Sequence, residues 1–384
     1  MDRQRRHTTW LAIMAIAVTG MTAHDSYGQE LLQTIRTDSL PLAFSPDDRY
    51  LVTDAVRGRG GLPNVAVWDT AAGKERARLA VEHPEYAAFQ PDSAKLMIIS
   101  DSGRKLSIWD FAATNSAPII ADFPEAEPGR AFDGHSVSDD GRLVSFTIFQ
   151  TNQTIVRVWN LTDGKTVLED KVGDWRIHQT RFSPDGKRLI ALGERREDRR
   201  KRFSLYVYCW DLESGERTNQ WGPFPKSGTL VKRGPFQYGI DAMTCDGRWI
   251  ATTTPGNGIR VTEVATGQAK QLGPHPITGA AKPLLFGELG GMANVPGVRD
   301  CDIWPLTFSP DGQFVATAAM GSDIVSLWSV AGNNAPTHLK QPEMIYVRRV
   351  QFSPSSKLLA VYGSMLPDNA PHITHIWRLA GTGQ

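Results

Sequence analysis

One short pattern recurs seven times along the chain, and it constrains the fold more than any other feature. Each copy has an apolar residue followed by a polar turn, as in Phe182-Ser183-Pro184-Asp185-Gly186 and Phe308-Ser309-Pro310-Asp311-Gly312. We call the apolar residue the anchor, and the seven anchors are Phe44, Phe89, Val137, Phe182, Met243, Phe308 and Phe352. Pro presets φ and Gly takes the left-handed position, so each copy predicts a tight turn between two antiparallel strands.

A second pattern follows each turn: a β-branched strand that ends on a large aromatic residue. Val156-Arg157-Val158-Trp159 is one example, and in the fifth copy Thr262 stands where the others have Trp. We predict that six tryptophans have a structural role in the repeat: Trp68, Trp109, Trp159, Trp210, Trp328 and Trp377.

The spacing of the anchors identifies the repeating unit. Phe89 follows Phe44 by 45 residues, Phe182 follows Val137 by 45, and Phe352 follows Phe308 by 44. A period of ~40–45 residues is typical of a four-stranded propeller blade. The sequence therefore predicts an all-β fold, a seven-bladed β-propeller of four-stranded antiparallel blades.

The two chain ends complement each other. The last copy ends near Leu379 and lacks a fourth strand. The first blade is preceded by one additional predicted strand, Leu31–Arg36. We expect this N-terminal strand to join the last blade, which closes the ring and removes an exposed sheet edge.

These motifs resemble those of the WD-repeat (WD40-type) propeller family over nearly the whole chain. Trp68-Asp69, Trp109-Asp110 and Trp210-Asp211 match the Trp-Asp pair of that family. The Gly-His pair that opens a typical repeat is nearly absent here, so the hydrogen-bond relay of the family is not expected in most blades. The resemblance is to a divergent WD-like propeller, and the periplasmic TolB and YVTN propellers are the neighbouring alternative.

The N-terminus has the pattern of an export signal. Arg3, Arg5 and Arg6 precede the apolar run Trp10–Val18, and small residues end near Gly28. The run is shorter than the ~20 residues of a spanning helix, although retention as an anchor stays an alternative. We predict a secretory signal peptide over residues 1–28, a propeller domain over 29–384 without a membrane span, and a periplasmic or extracellular location.

No catalytic motif stands out, so no catalytic residue, metal ligand or cofactor is predicted. His83, His135, His178 and His275 are expected in connections that enter innermost strands, near the mouth of the central channel. Converging imidazoles there could bind a metal or act as acid and base, as in a lactonase- or quinoprotein-like propeller. Their unequal distances from the anchors favour unrelated structural roles instead.

The long insertions predict where a partner binds. Gly193–Phe203, Trp221–Tyr238 and Leu272–Trp304 are expected on one face of blades 4 to 6. Function concentrates in loops on a rigid scaffold, although neutral insertions are the alternative. The candidate binding residues are Arg195, Arg196, Arg199, Arg200, Trp221 and Phe224.

These features favour a non-catalytic interaction scaffold, a monomer whose partner is another protein or an acidic glycan. The formal net charge of +1 and the mixed charges of the Arg-rich loop argue against nucleic acid. Cys209, Cys245 and Cys301 fall on different strands and are expected to be free thiols.

Overall fold

The fold is taken from a computed structural model of the chain. The structure describes residues 28–36, 39–55, 64–81, 84–100, 105–113, 119–122, 132–150, 153–173, 175–196, 203–225, 241–254, 258–276, 303–319, 322–332, 335–344, 346–364 and 372–380.

The described residues form seven four-stranded antiparallel sheets without a helix. Blade 1 comprises β2 (Ser39–Phe44), β3 (Tyr50–Ala55), β4 (Asn64–Asp69) and β5 (Lys74–Ala80). Blade 2 comprises β6 (Pro84–Phe89), β7 (Lys95–Ser100), β8 (Lys105–Asp110) and β9 (Ile119–Asp122). Blade 3 comprises β10 (Phe132–Val137), β11 (Leu143–Gln150), β12 (Gln153–Asn160) and β13 (Lys165–Gly173). Blade 4 comprises β14 (Trp175–Phe182), β15 (Arg188–Arg196), β16 (Phe203–Asp211) and β17 (Arg217–Phe224).

The remaining blades follow in the same order. Blade 5 comprises β18 (Asp241–Met243), β19 (Trp249–Thr254), β20 (Gly258–Glu263) and β21 (Ala269–Leu272). Blade 6 comprises β22 (Ile303–Phe308), β23 (Phe314–Ala319), β24 (Ile324–Ser329) and β25 (Thr337–Lys340). Blade 7 comprises β26 (Tyr346–Phe352), β27 (Leu358–Ser364), β28 (Ile373–Arg378) and β1 (Glu30–Arg36). The prediction of a seven-bladed β-propeller is confirmed.

The hydrophobic core is divided among the seven interfaces between successive blades. Alternate residues of a strand point to opposite faces of its sheet. Along β16, Tyr206, Tyr208 and Trp210 pack against blade 3, whereas the intervening Leu205 and Val207 pack against blade 5. Each of the seven clusters of buried residues joins one pair of neighbouring blades, including blades 7 and 1.

The N-terminal strand closes the ring, as the sequence predicts. β1 pairs antiparallel with β28, from Glu30 opposite Arg378 to Arg36 opposite Ile373. Arg378 lies 2.6 Å from the carboxylate of Glu30. Ile35 is buried in the cluster between blades 7 and 1, so β1 completes both a sheet and a core.

Five of the seven anchor turns share one side-chain hydrogen bond. The hydroxyl of Ser45 donates to Asp47 two residues later over 2.6 Å, and the turns of blades 3, 4, 5 and 6 repeat this contact. Blade 7 has Ser355 in the Asp position, and there Ser353 donates instead to Asp48 of blade 1 over 3.0 Å. A carboxylate of the first blade therefore completes the turn of the last.

Two of the insertions begin later in the chain than the sequence suggests. The loop expected over Gly193–Phe203 is shorter, because β15 continues to Arg196 and Arg196 pairs with Phe203. The connection expected over Trp221–Tyr238 begins after Phe224, because Trp221 pairs with Val207 and Phe224 pairs with Leu205. Backbone hydrogen bonds extend these strands through residues that lack an apolar alternation.

Two further findings concern cysteines and membrane spans. Cys209 and Cys245 are free thiols, and burial raises the pKa of Cys209. Cys301 lies outside the described residues. The part of the chain that the structure describes contains no helix long and apolar enough to cross a membrane.

Candidate functional site

The six repeat tryptophans all occupy the same kind of place. Each lies on the third strand of its blade and packs into the interface with the preceding blade. Four indole N–H groups donate to a polar side chain there: Trp68 to Thr53, Trp210 to Asp170, Trp328 to Thr317 and Trp377 to Gln341, over 2.7–3.0 Å. The tryptophans therefore pack into six of the seven interfaces between neighbouring blades.

The interface between blades 4 and 5 differs because blade 5 has Thr262 in the Trp position. A groove of about 640 Å³ lies there, between β17 of blade 4 and the outer two strands of blade 5. Trp221, Pro223 and Val264 contribute apolar surface to its walls, and Thr262 and Arg260 contribute polar groups. We call this space the blade 4–5 groove.

The structure brings two of the predicted binding residues to this groove. Trp221 is partly buried and packs against the blade 4–5 core, so part of its indole remains accessible. Phe224 also lines the groove, but only 7% of its surface is exposed because the side chain belongs to the core itself. Trp221 therefore has the accessible surface that a contact residue needs, and Phe224 supports the wall beneath it.

Arg195 and the backbone of Arg196 lie at one end of blade 4. Arg195 is exposed at the end of β15, and its guanidinium lies 6.0 Å from the ring centre of Trp175. Arg217 contacts the same ring at 5.1 Å. A guanidinium held over an aromatic face gains electrostatic attraction. The side chain of Arg196 and all of Arg199 and Arg200 lie outside the described residues.

The histidines do not form a common site. His135 and His178 lie within the innermost strands β10 and β14, rather than in the connections where they were expected. His275 is buried between the carbonyl oxygens of Pro276 and Thr317, at 2.9 and 3.2 Å. His83 lies outside the described residues.

Burial lowers the pKa of His135 to about 4. Burial also lowers the pKa of His275. His178 lies 3.7 Å from Glu194, which is 3% exposed. No group of three or more potential metal ligands occurs within the described ranges.

Comparison of the chain with models of protein families and with curated proteins gives no match. The fold and the geometry of the blade 4–5 groove are therefore the basis for assigning a function. In blade 6, Trp328 donates to the Thr317 hydroxyl, and His275 contacts the carbonyl oxygen of the same Thr317.

Sequence reasoning missed Arg260. Arg260 lines the groove, two residues before Thr262 on the same face of β20. The signal for it is the Trp-to-Thr replacement, which puts a smaller side chain two residues after Arg260 on that face of the strand.

Proposed function

We propose that this protein is an exported, monomeric binding propeller without catalytic activity, and that the sector formed by blades 4 to 6 contacts another protein. The observation that carries the proposal is the blade 4–5 groove. It is the interface where the repeat tryptophan is missing, and it offers an accessible Trp221 on a rigid sheet.

The basic residues extend this sector. Arg195 pairs with Ser204, and the neighbouring Leu205 pairs with Phe224, so Arg195 and one end of the groove lie at the same end of blade 4. Trp and Arg are the residue types that most often carry binding energy at protein interfaces. The resemblance of the repeats to WD-type propellers is consistent with this role.

The proposed location rests on the N-terminal sequence. Three Arg residues, a short apolar run and small residues before Gln29 support removal of residues 1–28 during export. The partner is therefore sought among proteins of the cell envelope.

The proposal is tested with residues 29–384 as bait for envelope proteins. In the test variant Arg195, Arg196, Arg199 and Arg200 are all changed to Glu. Capture of the partner should weaken, and the loss should shrink at high salt because exposed charges are screened. The melting temperature should stay nearly constant, since exposed charges contribute little to stability.

A charge-matched control places four Glu residues on the anchor-turn face. The replaced residues directly follow the turns of blades 1, 3, 4 and 7: Arg49, Arg142, Lys187 and Lys357. This control should bind as the parent does. Equal loss in both variants would mean a general charge effect, and unchanged binding of the test variant would remove the Arg-rich segment from the interface.

A further inference from the structure

Arg260 has a structural counterpart in blade 3. Arg260 precedes Thr262 by two residues on β20, and Arg157 precedes Trp159 by two residues on β12. Both side chains therefore project from the third strand of a blade toward the preceding blade. The two positions differ in what lies opposite them on the outermost strand.

In blade 3 the opposite residue is an acid. Arg157 pairs in register with Glu169, and its guanidinium lies 2.6 Å from that carboxylate. In blade 5 the opposite residue is Gln271, whose amide donates to Thr254 over 2.8 Å. Within the residues that the structure describes, Arg260 makes no ion pair. Arg260, which lines the groove, thus lacks the carboxylate that its counterpart Arg157 has.

We propose that the blade 4–5 groove binds an extended peptide segment of a partner protein, with an Asp or Glu carboxylate on Arg260 and a neighbouring apolar side chain against Trp221. The carboxylate of the partner takes the place that Glu169 occupies in blade 3. This inference rests on the proposed binding function and names the ligand class of that site.

The chemistry of the walls favours a peptide over an acidic glycan. Trp221 and Pro223 offer apolar surface, with Phe224 and Val264 largely buried behind them, and Arg260 supplies the charge. The uncharged polar side chains of the lining are Gln220, Thr262 and Thr266. A sugar needs hydrogen-bonding groups for many hydroxyls. An acidic peptide needs only a cation and an apolar surface, and a guanidinium can bind its carboxylate through two parallel hydrogen bonds.

The test uses short synthetic peptides in matched pairs, identical except for Glu in one member and Gln in the other. Each peptide carries a Leu, Phe or Trp beside that position. Binding to the 29–384 protein is followed by fluorescence anisotropy, with acidic oligosaccharides as a parallel arm. The Glu member of a binding pair should bind at least about tenfold more tightly, because hydrogen bonds to charged groups are the stronger ones.

The first variant removes the cation. Arg260→Gln should reduce the affinity for the Glu peptide about tenfold or more and should abolish the difference between Glu and Gln members. Arg157→Gln is the matched control: it removes the same residue type from the same strand position in blade 3, and it should leave peptide binding unchanged.

The second variant supplies the missing acid from within the protein. Gln271→Glu places a carboxylate opposite Arg260, as Glu169 lies opposite Arg157. It should weaken binding of the Glu peptide as much as Arg260→Gln does, without lowering the melting temperature. A role of Arg260 in folding alone would not produce this pattern.

A third variant, Thr262→Trp, restores the repeat residue and should block the groove to Glu and Gln peptides alike. The inference is overturned if peptide binding is insensitive to Arg260→Gln and Gln271→Glu, if only the oligosaccharides bind, or if no peptide binds. Where no peptide binds but the envelope partner is still captured through the Arg-rich segment, the proposed function survives and the ligand class is wrong. Where neither binds, both fail.

Discussion

At the scale of single residues, the last anchor turn shows how one position is completed from another blade. Ser355 stands where the other anchor turns have an Asp, and Asp48 reaches across from blade 1 to accept hydrogen bonds from Ser353 and Ser355. The backbone of Asp48 has a φ of 60°, which Asn also tolerates. The contact therefore can be altered without straining the turn.

We expect Asp48→Asn to lower the free energy of unfolding by about 1 kcal/mol, because it weakens a charge-assisted hydrogen bond at a partly exposed site. Ser355→Asp alone should also destabilise the protein, since two carboxylates then meet. The double variant should recover most of the loss, because the carboxylate introduced at position 355 would accept from Ser353 as in other blades. Urea denaturation of the four proteins measures this coupling, and additive effects would contradict the contact.

A buried histidine makes stability depend on pH. His375 is fully buried, its Nδ1 lies 3.1 Å from Gln341, and burial lowers its pKa to about 4. The groups that act on it from the neighbouring segments are Glu343 and Arg36. In the unfolded chain His375 takes up a proton near pH 6.5. Its contribution to the free energy of unfolding is therefore fully present above that pH and is lost as the pH falls toward 4.

The loss attributable to His375 between these limits should be roughly 3 kcal/mol. Urea denaturation across this range should show a shallower pH dependence for His375→Gln than for the parent. The variant should keep part of the pH dependence of unfolding, because the pKa of His135 is also lowered to about 4. An identical pH profile for parent and variant would mean that the pKa of His375 is the same in the native and the unfolded protein.

At the scale of elements, the sequence identifies strands well where turn chemistry or an apolar alternation marks them. The anchor turns and the Trp strands lie where expected, and so does the closing strand β1. The ends of β15 and β17 were missed, because Arg195 and Arg196 join the ladder through backbone hydrogen bonds, and β17 is mostly exposed. The groove could not be predicted, because it depends on the register that places Gln271 opposite Arg260.

The closing strand should be essential to stability. Deleting residues 29–38 removes β1 and uncovers the edge of β28, so the melting temperature should fall sharply. Ile35→Ala is a milder probe and should cost about 2–4 kcal/mol, because it opens a cavity in the buried cluster between blades 7 and 1. The exposed neighbour Thr34 provides the control, since Thr34→Ala should change little. An unchanged melting temperature for the truncated protein would contradict the role of β1.

At the scale of the whole molecule, each blade packs against two others and the ring has no free end. Trp109 and Trp328 lie in different interfaces and are 6% and 4% exposed. We expect Trp109→Ala and Trp328→Ala each to shift one common unfolding transition, with a cost of about 3–5 kcal/mol. Coincident circular dichroism and fluorescence curves would support this, and a separate transition for either variant would contradict it.

The pairing of β1 with β28 also has a kinetic consequence. Residue 30 meets its partner only when residue 378 has been synthesised, so the ring cannot close until nearly the whole chain has left the ribosome. Contacts between residues so far apart in the sequence form late, because a long loop must close, at a cost in entropy, before the contacts can stabilise the chain. Until then β1 has no partner strand, so the topology alone keeps the growing chain from completing its fold.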